Sequence, residues 1–232
     1  MIRTSKSIDI YRRKPAAEVP MYSVSDSAHY LGLPRSTVRA WVVGQRRFKP
    51  VVEIADPRGV SLSFSNLVEI YALSSLLRHH GVRLPAVRKA IRYMQRSLNS
   101  AHPLATRRFL TDGHSLFIEQ YGKLIDASKH GQLAMKAVLA QYLKRIQYDS
   151  SGLPIRLFPL TAATPENSGR AVSIDPRVLY GQPCIAGTRI PTSIIAERFE
   201  AGDTITELVE DYGCTQAQIE ESLRYEFPGR AA

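Results

Sequence analysis

The sequence predicts a mainly α-helical fold with short β-hairpins, an α+β chain. Apolar residues recur at helical spacing over most of the chain, and turn dipeptides separate a few short alternating runs. Charge is also segregated, which divides the chain into a basic front and an acidic rear. Residues 1–110 carry a formal +13, residues 111–165 carry +2 and residues 166–232 carry −5, within a net charge of +10. Such opposition suggests a polyanion partner at one end and a cationic partner at the other.

At 232 residues, with 44% hydrophobic and 22% charged, the chain has the composition of an ordinary globular protein of one large or two smaller domains. No apolar run approaches the roughly 20 residues that span a bilayer. The basic stretch Met1 to Lys14 leads into no hydrophobic segment, so no secretory signal is expected and a cytoplasmic location is. Cys184 and Cys214 stand alone, a pattern of buried thiols rather than of a disulfide. A sequence pI near 9.8 favours nucleic acid as a partner.

Residues 1–20 read as a flexible basic arm carrying Arg3, Lys6, Arg12, Arg13 and Lys14, with folding starting at Tyr22-Ser23. Ser23 and Asp26 suit a helix start, and Val24, Ala28 and Leu31 line one face until Gly32 breaks it. A second helix is expected from Arg35 to Val43, with Val38, Trp41 and Val42 inward and Gly44 at its left-handed terminus. Val51 to Ile54 and Val60 to Phe64 flank the turn Asp56-Pro57-Arg58-Gly59 and read as a β-hairpin. Ser65 and Asn66 are the expected caps of a helix striped by Leu67, Ile70, Leu73 and Leu77. Pro85 opens another, with Val87, Ala90, Ile91, Met94 and Leu98 inward and Arg88, Arg92 and Arg96 on a basic stripe. These elements make up a unit over residues 21–100.

Residues 101–160 read as a connecting or dimerisation segment. Arg107 to Thr111 and Ser115 to Tyr121 flank Asp112-Gly113, a strong hairpin signal, and Lys123 to Ala127 offers a third strand. Met135, Val138, Leu139, Tyr142, Leu143 and Ile146 stripe an amphipathic helix. Residues 161–171, small and polar, have linker composition. Residues 172–232 form a small unit: a short strand pair near Asp175-Pro176 and Gly181-Gln182-Pro183, then helices from Thr192 to Ala201, Ile205 to Asp211 and Gln216 to Phe227. Thr204 with Glu207 and Thr215 with Gln218 fit reciprocal caps, and the last two helices close a helix-turn-helix-like corner.

The run from Tyr22 to Trp41, with Val24, Ala28, Leu31, Gly32, Leu33, Thr37, Val38, Arg39 and Trp41, resembles the opening winged helix-turn-helix of MerR-type regulators. The likeness implies a helix that enters the major groove with Arg35, Ser36, Thr37 and Arg39, and a wing whose Arg46, Arg47, Lys49 and Arg58 approach the backbone. The chain departs from that pattern at Pro34 and Ala40 and shows no long dimerisation helix. In the rear, Asp175, Pro176, Gly181, Pro183, Gly187, Thr188, Arg189, Ile190, Gly202, Ile205, Leu208 and Tyr212 resemble the small domain found in VapB-type antitoxins of VapBC toxin–antitoxin pairs. The expectation is then an antitoxin that neutralises a PIN-like ribonuclease toxin and, as a homodimer on double-stranded operator DNA, represses its own operon. A MerR-like regulator with an oligomerising or effector-binding tail and no toxin is the alternative.

For the partner surface the candidates are Arg189, Glu207, Glu210, Asp211, Glu220 and Glu221, acids that would steer toward the cationic rim of a ribonuclease cleft. Arg189 could clamp a partner carboxylate or pair internally with Asp175 or Glu197, the internal pair being favoured. No cofactor, metal site or catalytic constellation is expected. His79 and His80 are adjacent and distant from either cysteine, and Asp112 with His114 is better explained by turn chemistry.

Overall fold

The computed structural model describes residues 14–45, 48–77, 84–125, 129–159 and 169–228. Over these the fold mixes α-helices with a small four-stranded antiparallel sheet. It begins earlier than Tyr22: Ala16–Glu18 forms a 3-10 turn with Ala17 buried. Helix α1 (Val24–Tyr30) opens on a reciprocal cap, in which Ser23 Oγ accepts the Asp26 N–H at 3.0 Å and Asp26 accepts the Ser23 N–H at 2.9 Å. Gly32, at φ +59°, turns the chain into α2 (Arg35–Val42), which buries Val38, Trp41 and Val42. Pro34 stands at the N-cap and supplies no side-chain hydrogen bond. Gly44, at φ +88°, ends the helix in a turn so tight that a Cβ would lie 2.5 Å from the Phe48 carbonyl oxygen.

The expected hairpin over Val51 to Phe64 shrinks to one antiparallel bridge, Asp56 with Ser61. Val51 and Val52 are both buried, which breaks the alternation a strand needs, and both donate to the Trp41 carbonyl at 2.7 and 3.1 Å. Leu62 pairs instead with Tyr22, and one side chain meets further backbone groups. Asn66 Oδ1 accepts the N–H groups of Ala55 and Ser63, and its Nδ2 donates to the Glu53 carbonyl at 2.7 Å. Asn66 is therefore occupied with the loop, and it is Ser63 whose hydroxyl accepts the Asn66 N–H at 3.2 Å, at a helix that starts two residues earlier than expected.

That helix, α3 (Phe64–Leu77), is the centre of the molecule. Every residue from Phe64 to Ser75 is buried, the polar Ser65, Asn66, Ser74 and Ser75 included. Its one charged residue, Glu69, is 3% exposed and accepts a hydrogen bond from His102 Nδ1 at 2.9 Å, while His102 Nε2 lies 3.4 Å from Glu18. Burial alone would push the imidazole pKa down, but the hydrogen bonds to Glu18 and Glu69 outweigh it and lift it to about 10. The His102 hydrogen bond likewise holds Glu18 below its ordinary value, whereas burial pushes Glu69 up.

Helix α4 (Leu84–Leu98) buries Ala86, Val87, Ala90, Ile91 and Met94. The hairpin expected at Asp112-Gly113 does not form. Phe109–Gly113 is a π-helical turn that runs into α5 (His114–Ile125), so the expected third strand is helical through Ile125 and lies beyond it outside the described residues. Gly113 serves close packing rather than a turn: a Cβ there would meet Phe109 Cδ2 at 3.1 Å and Met94 Cε at 3.2 Å. Phe109, Phe117 and Tyr121 form one buried aromatic row, with centroids 6.0 and 6.3 Å apart. Asp112-Gly113 gives a turn signal from its dipeptide alone; the aromatic row along one helix face prevails. Helix α6 (Lys129–Leu143) ends before Ile146, which starts a strand instead.

Strands β1 (Ile146–Tyr148), β2 (Pro154–Leu157), β3 (Val172–Ile174) and β4 (Pro183–Ile185) pair antiparallel in chain order. The sheet thus joins strands on both sides of the segment expected as a linker, whose residues 161–168 lie outside the described residues. The main core reaches from Ala17 to Ile174, and a second core holds Ile185, Ile195, Leu208, Cys214, Ile219 and Leu223. This second core sits among α7 (Thr192–Glu200), α8 (Ile205–Tyr212) and α9 (Gln216–Glu226), within one residue of the expected bounds, with both reciprocal caps formed. Cys184 and Cys214 are buried free thiols.

Several contacts among the described residues fasten front to rear. Arg145, buried, donates to the carbonyls of Phe158 at 2.8 Å, Pro159 at 3.3 Å and Gly169 at 2.7 Å. Arg156 pairs with Asp175 at 3.2 Å. The Tyr225 hydroxyl donates to the Tyr30 carbonyl at 2.8 Å. The Tyr22 ring fills the space beside Gly181, where a Cβ would lie 1.9 Å from its hydroxyl oxygen.

Two outcomes follow from this packing. His102→Gln should lower unfolding free energy by about 3 kcal/mol at pH 7, the usual cost of leaving a buried carboxylate unpaired. A raised imidazole pKa stabilises in full below the unfolded value near 6.5 and is lost as pH rises toward about 10. Urea titrations should therefore show the gap between wild type and variant closing from pH 7 to pH 10; a constant gap contradicts the assignment. Gly181→Ala, at φ +76° and against Tyr22, should cost about 3 kcal/mol. Gly187→Ala, at φ +82° with open space, should cost only about 1 kcal/mol, and thermal melts of the two compare them directly.

Candidate nucleic-acid and partner interfaces

Helix α2 presents two faces of opposite character. Val38, Trp41 and Val42 anchor it inward, while Arg35, Ser36 and Arg39 are exposed and Thr37 is half-buried. Lys49 and Arg58 are exposed beyond it, the second in the turn where Asp56 Oδ1 accepts the Arg58 N–H at 3.0 Å. Arg46 and Arg47 lie outside the described residues. The wing that was to carry these cations is reduced to a turn, because Asn66 rather than a partner strand satisfies its backbone.

Pairing sets the cations around α2 apart from Arg177, Arg198 and Arg224 of the rear. Among the described residues none of Arg35, Arg39, Lys49 and Arg58 has an ion-pair partner. In the rear, Arg177 pairs with Asp175, Arg198 with Asp203 and Asp211, and Arg224 with Glu220 and Glu221. An exposed, unpaired cation keeps its full charge for a phosphate, whereas a paired one has its field largely cancelled nearby.

The rear candidates divide in the same way. Glu207 is exposed but caps α8, and the Thr204 N–H and hydroxyl hold its carboxyl below the ordinary range. Asp211 lies 2.7 Å from Arg198, whose guanidinium also covers the Tyr212 ring. Glu220 bonds Arg224 at 3.0 Å and Gln216 at 2.7 Å. Glu221 is buried, and its Oε1 finds no hydrogen-bond partner among the described residues. Glu210 is exposed and Arg189 is exposed, neither with an ion pair among the described residues. The internal pair favoured for Arg189 is thus not formed: Asp175 is taken by Arg156 and Arg177, because Asp175 Oδ1 also accepts the Arg177 N–H at 2.9 Å.

Several groups of consequence carried little or no signal in the sequence. The imidazole of His29, beside the start of α2, bonds Glu226 at 2.9 Å, which raises its pKa, and Thr192 Oγ1 donates to the same carboxylate. This ties α1 to α9 across nearly two hundred residues, a separation no local pattern reports. Tyr180 is 87% exposed, held out by three successive left-handed residues, Leu179, Tyr180 and Gly181. The Glu18–His102–Glu69 trio had one readable trace, a lone carboxylate within an otherwise uncharged helix. Among the described residues no group of three or more His, Cys, Asp or Glu side chains is placed to hold a metal ion, and no helix is long and apolar enough to cross a membrane.

Comparison with known proteins gives three likenesses. The family described as "Protein of unknown function (DUF433)" matches residues 172–225. Over 89% of this chain and 93% of the relative, the sequence is 26% identical to a Mycobacterium tuberculosis protein named "Putative antitoxin VapB45". It is also 26% identical to "Uncharacterized protein Rv2308" of the same organism, over 90% of each chain. The crystal structure of Rv2018 from Mycobacterium tuberculosis superposes with a TM-score of 0.70 at 23% identity, covering 89% of this chain and 98% of that one, so the two share a fold over that span.

Proposed function

We propose that the chain is an antitoxin of a toxin–antitoxin pair that binds duplex operator DNA through its front and a ribonuclease toxin through its rear. The carrying observation is the exposed, unpaired set Arg35, Ser36 and Arg39 on α2, backed by Val38, Trp41 and Val42. A short helix anchored on one face and cationic on the other fits a major groove, with Arg and Ser at base edges and phosphates. Thr37, Lys49 and Arg58 extend the same surface in this reading; Arg46 and Arg47, candidates from the sequence, lie outside the described residues. Likeness to "Putative antitoxin VapB45" over nearly the full length of both chains supports the toxin–antitoxin part of the reading.

The toxin-facing surface is proposed on α8 and the outer side of α9, at Glu207, Glu210, Asp211 and Glu220, with Arg189 at its margin. Glu221, being buried, contributes to the fold beneath it. Glu207 and Glu210, the exposed acids with no ion pair among the described residues, raise the association rate toward a cationic cleft more than they add affinity. A PIN-like nuclease suits this complementarity, because a phosphate-binding rim is cationic. The protein works as a homodimer in this reading, since a two-fold operator matches a two-fold protein. No catalytic step is assigned to it.

Arg35→Ala and Arg39→Ala should each weaken operator binding by about 1–3 kcal/mol, measured by fluorescence anisotropy on the DNA upstream of its own gene. Unchanged binding in both variants rules out α2 as the reading helix. Co-expression with each neighbouring open reading frame should yield one stoichiometric complex whose partner arrests growth when expressed alone. If no neighbour co-purifies and none is toxic, the chain is instead a regulator without a toxin, the reading its MerR-like helix pair also permits.

A further inference from the structure

Helix α4 carries a cationic face that the fold does not use. Its fifteen residues include Arg88, Lys89, Arg92 and Arg96 and no acid. Lys89, Arg92 and Arg96 fall at i, i+3 and i+7, on one face, and all three are exposed. The opposite face is buried through Val87, Ala90, Ile91 and Met94. Among the described residues none of the three has an ion pair. Like charges three and four residues apart repel and destabilise a helix, so an uncompensated row calls for an anion from outside.

One contact brings the start of α4 to the turn that follows α2. On α2, Arg35, Arg39 and the exposed Val43 recur at i, i+4 and i+8, and the chain then turns at Gly44 to the exposed Phe48. The Arg88 guanidinium lies 5.4 Å from the Phe48 ring centroid, so the first cation of α4 is stacked on the turn that ends α2. Arg88 Nε is buried with no hydrogen-bond partner among the described residues, so the stack and packing alone hold it there. From Arg88 to Arg96 the helix advances about 12 Å, against one duplex charge per about 1.7 Å of axis.

We propose that the Lys89–Arg92–Arg96 face of α4 is a second phosphate-binding track, gripping the duplex backbone beside the segment that α2 reads. It rests on the DNA-binding reading above and adds the residues that would supply sequence-independent affinity. Base-edge contacts belong to α2; α4 neutralises phosphates and so sets the salt dependence.

Wild type and the triple variant Lys89→Gln, Arg92→Gln, Arg96→Gln are titrated across a potassium chloride series against two labelled duplexes, the DNA upstream of the gene and a scrambled sequence. Each lost phosphate contact should remove about 0.9 from the slope of log K against log salt, so the triple variant should lose about 2 to 3 on both duplexes. Its preference for the upstream sequence should persist. The charge-preserving variant Arg92→Lys, Arg96→Lys should keep the wild-type slope, which separates charge from any packing role of these exposed side chains. An unchanged slope in the triple variant, with wild type binding normally, overturns the track alone. A wild type that binds neither duplex overturns the DNA-binding reading and the track with it. Equal slope and affinity on single-stranded RNA of the same length overturns the commitment to a duplex.

Discussion

A helix with no solvent face organises this protein. Helix α3 is buried around its circumference from Phe64 to Ser75, so it requires walls on every side, and the rest of the chain supplies them. The 3-10 turn at Ala16–Glu18, α6, the turn at Pro103–Ala105 and β2 all pack on it. Each buried Leu, Ile or Phe contributes about 1.5–3 kcal/mol, which makes α3 the largest concentration of stabilisation in the front. One carboxylate interrupts it. Glu69 is tolerable there because His102 and Glu18 complete a buried charge set, and that set also fixes where the chain must pass before α1 and after α4.

From that centre the two candidate surfaces inherit their rigidity. Trp41 accepts the N–H groups of Val51 and Val52, so the turn after α2 is locked to the helix it follows, and Asn66 of α3 locks the loop beyond. The exposed face of α2 is therefore presented by a scaffold rather than by a mobile arm. At the other end, α9 meets α1 through Tyr225 with Tyr30 and Glu226 with His29. The rear helices and α1 share a border, so α8 and α9 lie within one packed body with the exposed face of α2.

Legibility from sequence followed the range of the interaction. Helices closed by local caps were readable nearly to the residue: Ser23 with Asp26, Thr204 with Glu207 and Thr215 with Gln218 all act within one turn. Elements decided by distant packing were not. Asp112-Gly113 has hairpin chemistry, yet Phe109, Phe117 and Tyr121 bury as a helical row and Gly113 lets that row press on Met94. The hairpin over Val51 to Phe64 failed because a side chain fifteen residues after its first valine took its hydrogen bonds. At the candidate interfaces the outward residues of α2 followed from its apolar period. Of the rear acids, Glu207 was legible as a local cap and Glu220 and Glu221 lie one turn from Arg224, whereas the pairing of Asp211 with Arg198 depends on how α7 and α8 meet.

The Arg145 fork has a further consequence. One guanidinium grasps carbonyls on both sides of residues 160–168, at Phe158 and Pro159 before them and at Gly169 after. A guanidinium stays protonated at any acidity a cell meets, so this clasp, unlike one built on imidazole, is blind to acidification. With the strand ends already pinned together, lengthening the interval between them adds only a logarithmic closure term, about 0.6 kcal/mol per doubling. The two halves of the molecule can therefore diverge in the span between them without losing their mutual alignment.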